Sequence, residues 1–381
     1  MRVAVNAEQL LHPSPGGIGR YTAHLLTAVP RAFPDCEIQP FFARHPRAHA
    51  EEALRRAGAS AETVGRLSVQ PLPAGILYEG WVGLSFPPLR AMTGVSVIHA
   101  PSVAVPPSGG RPLVVTVHDA AFELFPEAFT PRARRFHRLG LAAAARRADV
   151  VITVSQSAAD ELVSRSAIRA ERIRVVPNGV DPPPADPLAD RLALRRLGLE
   201  GRPYVLWVGS MEPRKGVGTL VAAMAELRRK GAHPSVATVL AGYDGWLTDG
   251  LVATTDRTAL GPSLRQLGRV SEEQLWALYR HASLFAFPSR HEGFGLPVIE
   301  AMSQGTPVVA SDVAALREVT GGAALLLAPG DPAPWAEAIG GLLDDDQARL
   351  LLARAGLARS RSFTVDAMAA ATHRVYRALG S

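Results

Sequence analysis

Short runs rich in Val, Ile, Leu and Phe recur along the whole chain, and between them apolar residues fall at helical spacing. That alternation predicts strands separated by helices, the βαβ pattern of a parallel sheet. In the first half, strands are expected at Arg2 to Asn6, Val95 to His99, Leu113 to Val117, Val150 to Val154 and Ile173 to Pro177. Tyr21 to Val29 has helical spacing, and Arg132 to Arg147 is a long helix of arginine and alanine. Gly16-Gly17-Ile18-Gly19 reads as a glycine loop. The proline-rich stretch from Asp181 to Pro187 reads as a linker. Beyond it the pattern starts again, with strands expected at Tyr204 to Val208, Val236 to Gly242, Leu284 to Phe287, Pro307 to Ser311 and Ala324 to Leu327. The fold class is therefore α/β, with two Rossmann-like domains facing across a cleft.

Length agrees, because 381 residues exceed the usual size of one domain. With 47% hydrophobic residues the chain is globular, and no disordered class fits. Cys36 is the only cysteine, which excludes an internal disulfide and a cysteine-based metal site; a reducing cytoplasm is the expected setting. Met1 leads straight into a strand pattern, so secretion is not expected. No apolar run approaches the roughly 18 to 20 residues of a membrane span. The formal net charge is +6, and Lys215 and Lys230 are the only lysines among 41 basic residues. A lysine in so arginine-rich a chain points to a place where a compact ammonium is wanted.

Chemistry concentrates after predicted strands. Arg290 to Glu300 reads R-H-E-G-F-G-L-P-V-I-E and joins the strand at Leu284 to a helix with Pro297 in its first turn. Such loops lie at the carboxyl ends of strands, where open α/β sheets bind ligands, and the helix start offers free N–H groups. Glu292 and Glu300 bracket the run, and Gly293 and Gly295 allow close backbone approach. By themselves the two glutamates also suit an ordinary solvated connection. The strand Tyr204 to Val208 is followed by G-S-M-E-P-R-K-G, Gly209 to Gly216, which sets Arg214 and Lys215 at a second strand end. His118 follows the strand at Leu113, and a lone histidine there is as readily structural. The glycine loop does not match a dinucleotide fingerprint, since Thr22 stands where the third glycine of G-x-G-x-x-G belongs.

The run from Glu292 to Glu300 resembles the E-x7-E signature of the retaining glycosyltransferases of family 4, which have the GT-B fold. The resemblance implies an N-terminal acceptor-binding domain over residues 1–180 plus about 362–381, and a C-terminal donor-binding domain over 181–361. The last helix, roughly Ser362 to Leu379, would cross back onto the first domain. It implies that Glu292 faces the donor sugar, that Glu300 hydrogen-bonds the nucleotide ribose, and that backbone groups of Phe294, Gly295 and Leu296 meet the sugar and distal phosphate. Arg214 and Lys215 would hold the donor pyrophosphate, although many relatives place the arginine directly after the glycine, where this chain has Ser210. Gly16 and Gly17 would lie across the cleft from the phosphates, and His118, in V-H-D, would donate toward hydroxyls of the transferred sugar. Gly209 and Gly242 would lie at the donor site, with Gly268 to Val270 against the base ring. Val175 to Asp181 resembles the hinge entrance.

The same resemblance implies a donor that is a nucleotide-diphosphate sugar, no metal and no other cofactor. G-G-I-G-R-Y-T, the M-E-P-R-K loop and A-F-E-L-F-P-E-A-F resemble a mannosyltransferase subgroup, which makes the expected reaction transfer of mannose from GDP-mannose to a glycan or lipid-linked acceptor in polysaccharide or glycolipid synthesis. The alternatives are a UDP-sugar-dependent glucosyl or N-acetylglucosaminyl transferase, a nucleotide-sugar epimerase or glycosyl phosphorylase, and a non-catalytic sugar-nucleotide-binding subunit. No nucleic-acid partner is expected. Arg132, Arg134, Arg135 and Arg138, with Phe136 and Leu139, suit either peripheral docking on anionic membrane or a solvated helix face.

Overall fold

A computed structural model describes residues 1–12, 16–243 and 254–380. The chain divides into two compact units, Met1–Gly179 with Thr364–Ser381, and Val180–Phe363. Among the described residues no helix is long and apolar enough to cross a membrane.

The first unit holds strands β1 (Arg2–Asn6), β2 (Glu37–Phe42), β3 (Ser68–Val69), β4 (Val97–Ala100), β5 (Leu113–Thr116), β6 (Val150–Thr153) and β7 (Ile173–Val175). They pair in parallel in the order β3-β2-β1-β4-β5-β6-β7. Most of these strands are buried almost end to end, as expected of a sheet covered on both faces by helices. One face packs on the helix Gly16–Ala32 and on the last helix, Val365–Gly380, through Leu25, Val29, Met368 and Tyr376. The other packs on the helices Ala74–Leu84 and Pro131–Arg147 through Trp81, Leu141 and Ala144. Residues 364–380 thus belong to the first unit's core, the placement expected for the last helix. At Gly179 the chain passes so close to Val365 that a Cβ would stand 2.4 Å from its Cα.

The second unit repeats the plan with β8 (Tyr204–Val208), β9 (Ala237–Ala241), β10 (Leu264–Gly268), β11 (Leu284–Phe287), β12 (Val308–Ser311) and β13 (Leu325–Leu327), all parallel, in the order β10-β9-β8-β11-β12-β13. Its core gathers Trp207, Leu220, Met224, Leu240, Trp335 and Ile339. In each sheet the order reverses at one place, between β1 and β4 and between β8 and β11, the position at which open α/β sheets bind ligands beyond the carboxyl ends of their strands.

Three strands depart from the sequence reading. β2 was not expected because Pro40 interrupts it; Pro40 pairs with Val5 of β1, but the other neighbour, β3, reaches only Phe41 and Phe42, so the missing N–H meets no ladder. β3 is two residues long, and β10 is a half-exposed edge whose L-R-Q-L-G has no buried-strand signature. Gly16 to Gly19 is a helix start instead of a loop: Gly16 has φ 59°, and the residues after it already follow helical geometry. Asp186 ends the expected linker by accepting from the N–H groups of Leu188 and Ala189, capping the helix Pro187–Arg196.

Asp190 of that helix is buried and takes a two-pronged hydrogen bond from Arg280, at 2.6 and 2.7 Å, that ties it to the helix Glu272–His281. These hydrogen bonds hold the Asp190 carboxyl below its ordinary range, against the opposing effect of burial. Asp190→Ala leaves the half-buried Arg280 guanidinium with Gln304 alone of these partners, and is expected to cost roughly 3 kcal/mol. Because the folded pKa is depressed, the stabilisation is present above the unfolded value of roughly 4 and is lost as pH falls through the folded one. Urea midpoints of wild type and variant should therefore differ fully near neutrality and converge only in strong acid.

Candidate functional site

The reversal between β8 and β11 brings two loops together, Gly209–Gly216 after β8 and Pro288–Gly295 after β11. Their backbones touch: a Cβ at Gly216, where φ is 64°, would stand 1.9 Å from the Pro288 carbonyl oxygen. The Arg290 N–H donates to the Arg214 carbonyl at 2.8 Å, and the Arg214 guanidinium donates to the His291 carbonyl at 2.9 Å. The loops are therefore one stitched surface.

Four charged side chains line the stitch. Lys215 Nζ donates to Glu292 Oε1 at 2.7 Å and lies 5.6 Å from the Phe287 ring centre. Arg214 sits 4.0 Å from Glu292 Oε2 and 3.4 Å from Glu212 Oε2. Glu212 in turn accepts from the hydroxyl of Ser210. The side chains of Glu212 and Glu292 are each 8% exposed, that of Arg214 11% and that of Lys215 14%. Burial alone would raise the Glu292 carboxyl, but the Lys215 and Arg214 charges and hydrogen bonds from Lys215 and Ser289 outweigh it and hold Glu292 below the ordinary carboxylate range. Glu292 is thus an ionised acceptor, and two cations alternate with two carboxylates.

The other donor-side candidates frame this cluster. Gly209 donates to the Ala241 carbonyl, Gly242 to that of Gly268, and Met211 to that of Tyr243, which knits the ends of β8, β9 and β10. Val270 is half-buried between β10 and the helix Glu272–His281. Gly293 and Phe294 are buried, and the Phe294 ring meets Phe363 edge to face at 5.5 Å. Gly295 caps the helix Leu296–Ser303 with φ 98°, and a Cβ there would stand 2.3 Å from Leu316 Cδ2, so glycine is required twice over. Glu300, on that helix, is buried and accepts from the Tyr279 hydroxyl at 2.8 Å. Arg214, Lys215 and Glu292 are brought into mutual contact; Glu300 is held by a different element.

His118, Gly16 and Gly17 belong to the first unit. Gly16 and Gly17 are exposed at the start of their helix. His118 follows β5 and is half-buried, and its Nε2 lies 3.0 Å from the Pro101 carbonyl, an acceptor that fixes the proton on Nε2. Burial pulls its pKa down, against the Pro101 bond and nearby Asp119, so the ring is neutral with Nδ1 as an acceptor. In this tautomer the ring's remaining nitrogen, Nδ1, is an acceptor and carries no proton to donate. Asp119 accepts from the Ala121 N–H at 3.0 Å and Glu161 from the Ala120 N–H at 2.8 Å, so both shape the loop after His118. Ser155 caps the helix Gln156–Arg165, its hydroxyl oxygen accepting from the Ala158 N–H.

Sequence reasoning gave no role to Glu212, Tyr279, Tyr21, His99 or Tyr376. Glu212 stands inside the M-E-P-R-K loop, where a carboxylate beside two cations was a usable signal. His99 sits in an otherwise apolar strand, a second signal. Nothing in the sequence singles out the tyrosines from core aromatics.

Comparison with known proteins gives the family. The family models described as "Glycosyl transferases group 1" and "Glycosyltransferase Family 4" match residues 202–345 and 15–183. O-antigen chain mannosyltransferase B of Escherichia coli is 30% identical over 389 aligned residues covering the whole of both chains. D-inositol 3-phosphate glycosyltransferase of Corynebacterium jeikeium (strain K411) is 33% identical over 242 residues, 61% of this chain and 58% of that one. The crystal structure of Anabaena HepE in complex with UDP and glucose superposes over the whole of both chains with a TM-score of 0.77 at 22% identity, a likeness of fold. With two parallel-sheet Rossmann-like domains and a full-length relative among the mannosyltransferases, the chain belongs to glycosyltransferase family 4 and has the GT-B fold.

Proposed function

We propose that the protein is a retaining hexosyltransferase that moves mannose from GDP-mannose to a glycan or lipid-linked acceptor in cell-envelope polysaccharide or glycolipid synthesis. The observation that carries the reading is the contact of Lys215 and Arg214 with Glu292 at the stitched loops after β8 and β11. The full-length likeness to a mannosyltransferase favours mannose. A UDP-sugar donor is the second reading, favoured by the UDP and glucose bound in HepE.

In this reading the donor diphosphate lies against Lys215 and the start of the helix Leu296–Ser303, whose N–H groups and dipole complement the charge that grows as the sugar–phosphate bond breaks. Stabilisation of that charge needs neither a metal nor another cofactor. The departing phosphate oxygen takes the proton of the acceptor hydroxyl while that hydroxyl oxygen bonds the sugar's anomeric carbon on the same face. Glu292, ionised, accepts from sugar hydroxyls and orients the ring; no protein nucleophile is assigned.

Titration calorimetry with GDP-mannose, UDP-glucose, UDP-N-acetylglucosamine and NAD, without added metal, tests the donor. Selective binding of GDP-mannose is expected, a UDP-sugar preference would replace the sugar, and binding of NAD alone would overturn the reading.

Lys215→Ala and Glu292→Ala are each expected to lower transfer at least about tenfold, roughly 1.4 kcal/mol of transition-state stabilisation. Unchanged product formation by both purified variants would argue for a non-catalytic binding subunit.

Peripheral docking on anionic membrane is supported by the arginine-rich helix Pro131–Arg147 and by Ile76, Leu84 and Phe86, exposed on and just beyond the helix Ala74–Leu84. Arg132 and Arg135 stand near Glu79 and Arg138 pairs with Glu123, so part of that charge is already neutralised. Liposome flotation should show binding to anionic but not neutral vesicles, and equal binding to both would remove the electrostatic argument.

A further inference from the structure

A chain of polar side chains runs through the core of the first unit and ends at His118. Tyr376, on the last helix, places its hydroxyl 2.6 Å from His99 Nδ1. His99, on β4, places Nε2 2.8 Å from the Thr116 hydroxyl, on β5. Thr116 is 3.0 Å from the hydroxyl of Tyr21, on the first helix, and the Tyr21 ring meets the His118 ring edge to face at 5.1 Å and 86°. Tyr21 is 2% exposed, and Thr116, His99 and Tyr376 are fully buried. Burial pushes the His99 ring down to about 3, so the chain holds a neutral imidazole at working pH.

Burying so many polar atoms is costly unless each is bonded, and a satisfied chain then fixes the geometry of whatever it touches. Here it ends on Tyr21, the ring that packs on His118. Pro101, whose carbonyl accepts from the His118 Nε2–H, lies two residues after His99. Tyr21, whose ring packs on His118, is anchored through Thr116. One restraint on His118, Tyr21, is thus the end of that chain of hydrogen bonds, and the other, Pro101, follows directly after the strand that carries its middle member, His99.

We propose that Tyr21 is a positioning residue for His118, held in place by the buried chain Thr116, His99 and Tyr376, so that the last helix of the protein sets the orientation of the histidine that faces the transferred sugar. The inference rests on the glycosyltransferase reading of His118. It gives the last helix a second task besides completing the core.

The test pairs kinetics with nitrogen-15 NMR of the histidine side chains. In the wild type His118 should give the signature of a neutral ring protonated on Nε2. Tyr21→Leu removes the packing ring, while Tyr21→Phe and Tyr376→Phe remove only hydroxyls and preserve shape. Each is expected to mix the two tautomers at His118 and to lower kcat, by about tenfold for Tyr21→Leu, with donor KM changed less than about twofold. In a His118→Ala background Tyr21→Leu should cause no further loss of kcat. His118 spectra identical to wild type in all three tyrosine variants, or losses that multiply in the His118→Ala background, would overturn the proposal. Wild-type kcat in His118→Ala, with the tautomer still shifted by the tyrosine variants, would overturn the role of His118 and leave the positioning itself standing.

Discussion

A carboxylate as deeply enclosed as Glu292 stays ionised only beside opposite charge, and the stitched loops of the second unit are built around that requirement. One cation and one anion alone would satisfy it crudely. Here Glu292 meets Lys215 directly and Arg214 at longer range, and Arg214 is balanced in turn by Glu212. Such pairs contribute little net stability compared with apolar packing, because desolvation offsets most of the attraction. Their consequence is geometric: each charge fixes its neighbour, and the alternation reaches from the end of β8 to the end of β11. None of it is possible unless those strands are adjacent, which the reversal of strand order at that point provides.

The first unit holds its histidine through neutral hydrogen-bonding and ring partners, with the Asp119 carboxylate nearby. Its sheet reverses between β1 and β4 as the second reverses between β8 and β11, yet the histidine of interest leaves β5, one strand further along. The groups that hold it are neutral: a carbonyl, a phenol, a threonine hydroxyl and an imidazole kept uncharged by burial. Uncharged partners suit a fully buried position, where an ion would need a counterion and neutral donors and acceptors need only one another.

Strands with strong local signatures were legible to the residue. β1, β8 and β11 fall at the bounds that their apolar runs predict, and the remaining expected strands differ by a residue or two at their ends. β2, β3 and β10 were not legible, since Pro40 is tolerable only because β3 is too short to reach it, and an edge strand such as β10 needs no apolar face. The E-x7-E run and the basic loop were readable as a candidate site at two strand ends. That Lys215 would bond to Glu292, and Glu300 to Tyr279, was not, because both pairs join elements whose proximity the sheet order alone creates. The polar chain behind His118 links residues up to 277 positions apart, a separation at which local pattern carries nothing.

The two cations of the basic loop were assigned the same task from sequence, and their surroundings separate them. Arg214 spends its guanidinium and its carbonyl on the opposite loop, through His291 and Arg290, and lies between two carboxylates. A planar fork fixed at several points is a strut, and moving it toward a ligand would undo the stitch that holds the loops together. Lys215 has a flexible stem and a compact head bonded to the Glu292 carboxylate. Exchanging that one bond for a phosphate oxygen would leave the loops in place and release Glu292 to accept from a sugar. The scarcity of lysine in this arginine-rich chain fits that division: arginine forms the fixed strut, and the cation that would trade one anion for another in the proposed reaction is one of the chain's two lysines.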